Sequence, residues 1–168
     1  MQDSLPYPQL FCFVFGRVQL IMYNLLDAGE KIMIRPIVKD IFLLGRKAEK
    51  IGKKDAFVLQ DLKDTLYFYR RICTGMAANM IGCNKAAIIA CHEGKTVLML
   101  NPEIVKKSEP YETAEGCLSL QGERKTLRYQ KIEVRYQDEK WKWHQEKFHG
   151  RLAQIIQHEC DHLQGILI

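Results

Sequence analysis

The stretch from Gln157 to Gly165, QHECDHLQG, decides how the rest of the chain reads. His158 and His162 stand four apart with Glu159 between them. On a helix that interval puts both imidazoles on one face, where they can grip one metal ion. A catalytic metal usually has three protein ligands and an open position for water. Zinc proteases with this signature take their third ligand from downstream. Here Leu163 to Ile168 offer no His, Asp, Glu or Cys, so the third ligand lies upstream. The stretch also constrains the fold. Leu152, Ile155, Glu159 and His162 share one face, which turns the histidines into a core. A helix starting near Gly150 would end at Gly165, a residue suited to a C-terminal cap.

Upstream, the pattern changes from helical to strand-like and back. Leu127, Tyr129, Lys131, Glu133 and Arg135 alternate with Arg128, Gln130, Ile132, Val134 and Tyr136, a strand period. Trp141 to Phe148 reads as its return strand after a turn at Asp138-Glu139-Lys140. Ala86–Cys91 and Thr96–Leu100 read as a hairpin about His92-Glu93-Gly94, with Asn101-Pro102 ending the second strand. Asp55 to Cys73 is amphipathic, with Val58, Leu62, Leu66, Tyr69 and Ile72 on one helical face. Gly75-Met76-Ala77-Ala78-Asn79 reads as a small-residue turn, and Ile34 to Phe42 as an extended apolar lead. The expected class is α+β, with short, mostly antiparallel sheets packed around a central metal-bearing helix.

With 168 residues, 47% of them hydrophobic, the chain can bury one core. Its net charge of +5 comes from scattered lysines and arginines, which reads as a solvated basic surface without specific nucleic-acid recognition. Residues 1–32 form an N-terminal extension. Its apolar run LFCFVFGRVQLIMY is interrupted by Arg17 and falls short of the roughly 18 residues of a spanning helix. A core strand or a strand leading into a helix is the expectation there. No basic segment precedes the run, and Asp3, Asp27 and Glu30 argue against a transit peptide. Met33 is an alternative natural start, since codons for Ala28-Gly29-Glu30 can spell a ribosome-binding sequence. Without a secretory signal, the six cysteines read as reduced thiols in the cytoplasm, and no CxxC pair exists for a four-cysteine zinc ribbon.

Among upstream ligands, Cys117 in EGCLSL stands out, because Gly116 lets the backbone approach closely there. A thiolate with two imidazoles gives a tetrahedral site with one open position. Cys160 is the rival, but at about 100° per residue it faces away from both histidines and reads as core packing. His92, in a tight turn, and His144 and His149, flanking a lysine-rich strand, read as exposed or structural.

EGCLS (115–119) and QHECDHLQG, preceded by GMAA (75–78), resemble the motifs of the peptide deformylases in order and separation. IRPIVKD, DLKDTL, LNPEIV and FHGRLAQIIQHE add weaker echoes. The resemblance covers Met33 to Ile168, about four-fifths of the chain. It implies a cytoplasmic bacterial hydrolase that removes the formyl group from the N-terminal formylmethionine of newly made polypeptides, near the ribosome and away from membranes. It implies Cys117, His158 and His162 as metal ligands and Glu159 as general acid and base. The Leu118 N–H would face the developing oxyanion, and Gly75 would line the channel where the peptide pairs like an added strand. Arg124 would lie near the peptide's carboxyl end. The metal implied is Fe2+, with Zn2+, Ni2+ or Co2+ able to replace it in purified protein.

One motif departs from the family. Where deformylases read Gly-x-Gly-x-Ala-Ala-x-Gln, this chain has Cys73-Thr74-Gly75-Met76-Ala77-Ala78-Asn79-Met80. Met80 has no N–H to offer in place of the glutamine amide. The second reading is therefore a low-activity paralogue that binds peptide N-termini as a regulatory protein. A zinc protease is disfavoured by the upstream third ligand.

Overall fold

A computed structural model describes residues 21–24 and 31–168. Strands β1 (Ile21–Asn24) and β2 (Lys31–Ile34) pair antiparallel, so the end of the N-terminal apolar run is a strand. Residues 10–20 of that run lie outside the described residues. Five further strands form one antiparallel sheet in chain order: β3 (Gly75–Ala77), β4 (Ala87–His92), β5 (Lys95–Gly116), β6 (Glu123–Gln137) and β7 (Trp143–His149). The helices are α1 (Ile41–Leu44), α2 (Phe57–Tyr69) and α3 (Gly150–Leu163). The α+β class is as expected, with α3 packed on β4 and β6 and α2 on β2 and β4. No helix of the described residues is long and apolar enough to cross a membrane.

Helix α2 buries Val58, Leu62 and Leu66, the face its periodicity marks. Ile72 does not belong to that face. The helix stops at Tyr69, and Ile72 is 72% exposed. The polar members of α2 tether the incoming chain. Asp61 holds the Arg35 guanidinium at 2.7 Å, Thr65 accepts from Arg35 N and Asp64 from Met33 N.

Three expectations are corrected. Gly75–Ala77 is a strand paired with Ala90–Ile88, and only Ala78–Ile81 turns, as one 3₁₀ stretch. Small residues there signal close packing, since all three strand positions are buried. Asn101-Pro102 does not end its strand. Asn101 adopts φ 51°, which Asn tolerates, and the ladder shifts register between Leu100 and Glu103. The strand bulges there and runs on to Gly116, for 22 residues. Ile34 to Phe42 is not extended throughout. Asp40 accepts hydrogen bonds from Phe42 N and Leu43 N and so starts α1.

The hairpin turn falls at Glu93-Gly94, both with positive φ. Gly165 follows α3 with φ 73°, and a Cβ there would lie 2.3 Å from the Gly45 carbonyl oxygen. The residue is glycine for two reasons: the left-handed backbone and a close chain crossing.

Candidate metal centre

Helix α3 carries His158, Glu159 and His162, and the end of β5 leads into Cys117. One ligand atom from each of Cys117, His158 and His162 falls within 4.8 Å of the others. Cys117 Sγ lies 3.2 Å from His162 Nε2, and Ser119 N donates to the same sulfur at 3.4 Å. Burial pushes the Cys117 thiol up, but hydrogen bonds from His158 and His162 outweigh it and hold the thiol at about 5. Burial would lower His158, yet Cys117 and Glu115 raise it to about 10. The low thiol value favours the deprotonated sulfur a metal needs. Among the described residues this is the one group with metal-ligand spacing. Two imidazoles and a thiolate suit first-row divalent ions, so the donor set fits one. Cys160 is outside the group, and burial pushes its thiol up to about 12.

A cavity of about 260 Å³ opens beside these ligands, lined among others by Gly75, Met80, Leu118, Ile155 and Glu159. Glu159 is 3% exposed, and its Oε2 has no hydrogen-bond partner among the described residues. Burial pushes its carboxyl up, while His158 and His162 pull it down. Gly75 faces it. A Cβ there would meet Ile155 Cγ2 at 2.5 Å and Glu159 Oε1 at 2.6 Å. Any side chain at this position would displace the carboxylate, which accounts physically for the glycine.

The remaining candidates separate. Leu118 lines the cavity, and its carbonyl accepts from the Lys39 ammonium. Arg124 lies at the exposed start of β6, donates to Gln121 O at 3.3 Å and does not line the cavity. Met80 lines the cavity while 1% exposed, and its Sδ accepts from Ala77 N at 3.4 Å. Cys73 also lines it; burial lifts its thiol to about 12, and it donates to Gly75 O. His144 is held by Asp138 at 2.8 Å, and His92 and His149 lie away from the cavity.

Sequence reading missed the buried network behind the ligands. Glu115 accepts from Arg128 Nε and Nη2 at 2.9 and 2.7 Å, from Gln154 at 2.8 Å, and from His158 Nδ1 at 2.9 Å. Arg128 Nη1 reaches Asp161 at 2.6 Å. With Nδ1 committed to Glu115, His158 presents Nε2 to the centre. The available signal was Glu115 two residues before Cys117, since strand neighbours at that interval share a face. Arg128 gave another, a charged residue on the inward face of β6. Gln157 completes the brace, its amide bonding both the N–H and the carbonyl of Tyr129.

Glu115→Gln is expected to weaken metal affinity by about 10- to 100-fold by releasing His158. It also leaves Arg128 with Asp161 as its one remaining carboxylate partner, a loss below the about 3–5 kcal/mol of a buried pair broken outright. Metal titration and thermal unfolding of the variant measure both. Wild-type values would remove Glu115 from the positioning of His158.

A model of the polypeptide deformylase family matches residues 34–168. A peptide deformylase of Clostridium beijerinckii is 52% identical over 136 residues, 81% of this chain and 100% of the relative. One from Dictyoglomus turgidum is 35% identical, over 79% of this chain and 84% of its own. Solved structures agree in fold. Peptide deformylase from Thermotoga maritima matches with TM-score 0.72 and 28% identity, over 80% of this chain and 94% of that one. The Acinetobacter baumannii enzyme bound to Met-Ala-Ser matches with TM-score 0.73 and 27% identity, over 81% and 96%.

Proposed function

The chain belongs to the peptide deformylase family, and we propose that Cys117, His158 and His162 hold its metal ion, with Glu159 moving the protons of the reaction. A deformylase is a metal-dependent hydrolase that removes the formyl group from the N-terminal formylmethionine of newly made polypeptides. The observation that carries the residue assignment is the Cys-His-His group set beside a buried carboxylate in one cavity. The regulatory-paralogue reading is not favoured.

A divalent ion, when bound, supplies Lewis acidity that makes water nucleophilic near neutral pH. Glu159 takes the proton of the attacking water and returns it to the leaving amine, so formate and a free amino terminus result. Its burial favours the protonated carboxyl needed for the second half of that task. Leu118 N–H faces the carbonyl oxygen as negative charge develops on it. The Gly75 strand edge, kept clear of side chain, receives the peptide backbone as an added strand. Arg124, on the exposed part of β6, attracts the peptide's carboxyl end from a distance.

Fe2+ is the ion we assign in the cell, because a thiolate with two imidazoles accommodates it. Zn2+, Ni2+ or Co2+ would substitute in purified protein. Met33–Ile168 is the catalytic domain in this reading, and residues 1–32 are an extension of it. Cytoplasmic location and proximity to the ribosome follow from the substrate.

Met80 sets the rate. It lines the cavity without a side-chain N–H, its Sδ accepting from Ala77 N, so the oxyanion lacks one side-chain donor, a deficit that typically costs on the order of 10²- to 10³-fold. With formyl-Met-Ala-Ser and metal-loaded protein, slow formate release is expected from the natural sequence. Met80→Gln should raise kcat/KM at least about tenfold, part of that donor's worth. Peptide binding with no formate release from either protein would favour the paralogue reading. Turnover already equal to that of the Gln variant would show that another donor fills the gap.

A further inference from the structure

Strand β3 is an edge of the five-stranded sheet, with β4 on one side only. Its register runs Gly75↔Ala90, Met76↔Ile89 and Ala77↔Ile88. One step earlier, Cys91 N donates to Thr74 O at 2.7 Å. Backbone groups of successive residues in an antiparallel strand point to alternate sides, so Thr74 and Met76 turn to β4 while Gly75 and Ala77 turn outward. Ala77 follows this rule, since its N–H meets Met80 Sδ at 3.4 Å instead of a β4 carbonyl. The residues of this edge line the catalytic cavity, whose other wall includes Ala114, Gly116 and Cys117 at the end of β5.

The outward carbonyl of Gly75 is already taken. Cys73 Sγ donates to Gly75 O at 2.8 Å. The clearance at Gly75 lies on its Cβ side, toward Ile155 and Glu159. In the plane of the sheet the thiol stands at the acceptor. Where the deformylase motif has glycine, this chain has Cys73, so the cap is a property of this sequence. The same cavity holds a second group turned to a ligand. Glu159 is 3% exposed and lines it, and Glu159 Oε2 has no partner among the described residues.

We propose that Cys73 is a positioning residue that caps the substrate-pairing edge, its thiol holding the Gly75 carbonyl until a backbone N–H of the incoming peptide displaces it. The proposal rests on the reading that the formylated peptide adds a strand at Gly75. A water molecule displaced from an open carbonyl returns to bulk and regains its hydrogen bonds. The displaced thiol stays in the protein, partly buried, and loses its acceptor. Exchange therefore costs more than pairing with an open edge. The cap is broken equally in the bound substrate and in the transition state, so its cost enters KM and leaves kcat alone.

The test uses the full, metal-loaded chain, calorimetry with Met-Ala-Ser and steady-state deformylation of formyl-Met-Ala-Ser. Cys73→Ala removes the donor and should bind Met-Ala-Ser about three- to tenfold more tightly, the range of one hydrogen bond. KM for the formylated peptide should fall by the same factor, with kcat within about twofold of the parent. Cys73→Ser keeps a donor and should bind Met-Ala-Ser within about twofold of the parent. Acetohydroxamate, a chelator without a peptide backbone, should bind the parent and both variants alike, which also reports an intact metal centre. If Cys73→Ala loses its metal, Cys73→Gly, the residue of the deformylase motif, is measured in its place. Unchanged or weaker Met-Ala-Ser binding without the donor would overturn the proposal. So would equal tightening in Cys73→Ser, a change confined to kcat, or acetohydroxamate binding that tightens to the same extent. Failure of every form to release formate would strike the substrate reading, while Met-Ala-Ser binding still reads the cap.

Discussion

Glu159→Gln is expected to keep its metal and lose about 10²- to 10⁴-fold in kcat, the range that a positioned general acid-base contributes. The amide matches the carboxylate in shape, so it fits the space that Gly75 leaves open beside the cavity. It can neither accept the proton of the attacking water nor deliver one to the leaving amine. Formate release with elemental analysis on the same preparation separates the possibilities. Metal and activity lost together would make Glu159 a ligand. Turnover near the parental rate would move the proton shuttle to another group.

Cys117→Ser should lose most of its metal, from about one ion per chain in the parent. A serine hydroxyl stays protonated at neutral pH, whereas the Cys117 thiol is held at about 5 against the upward push of burial. The soft anionic donor disappears, and two imidazoles alone hold the ion weakly. Because a ligand that binds only the folded state stabilises it, the parent should gain about 2.7 kcal/mol at a free-metal level 100 times Kd. The variant should gain little at the same level. Cys160→Ser, outside the ligand group, is the control. Parental metal content in Cys117→Ser, or equal loss in Cys160→Ser, would overturn the ligand assignment.

Local signals in the sequence carried the metal-bearing helix and its orientation. His158, Glu159 and His162 lie within one turn, and the helical repeat alone puts them together. The same holds for the Val58, Leu62 and Leu66 face, the Glu93-Gly94 hairpin and the period of β6, since each depends on neighbours a few residues apart. Cys117 was reachable because few residue types bind such a metal and Cys160 points away.

What only the tertiary structure decided involves partners far apart in the chain. GMA became a strand because β4 lay beside it and α3 left no room for a side chain at Gly75. Asn101-Pro102 became a bulge because β6 continued past it and held the ladder on both sides. Glu115, Arg128, Gln154, His158 and Asp161 span much of the chain, yet close into one buried network whose charges pair only when strand and helix meet. Lysines that read as scattered along the sequence line one groove because antiparallel pairing sets Lys106 and Lys147 on either side of Glu133, two residues along the strand from Lys131. Helical and strand repeats fix short-range geometry, whereas strand register and the cost of an unpaired buried charge act through space, where sequence separation carries no information.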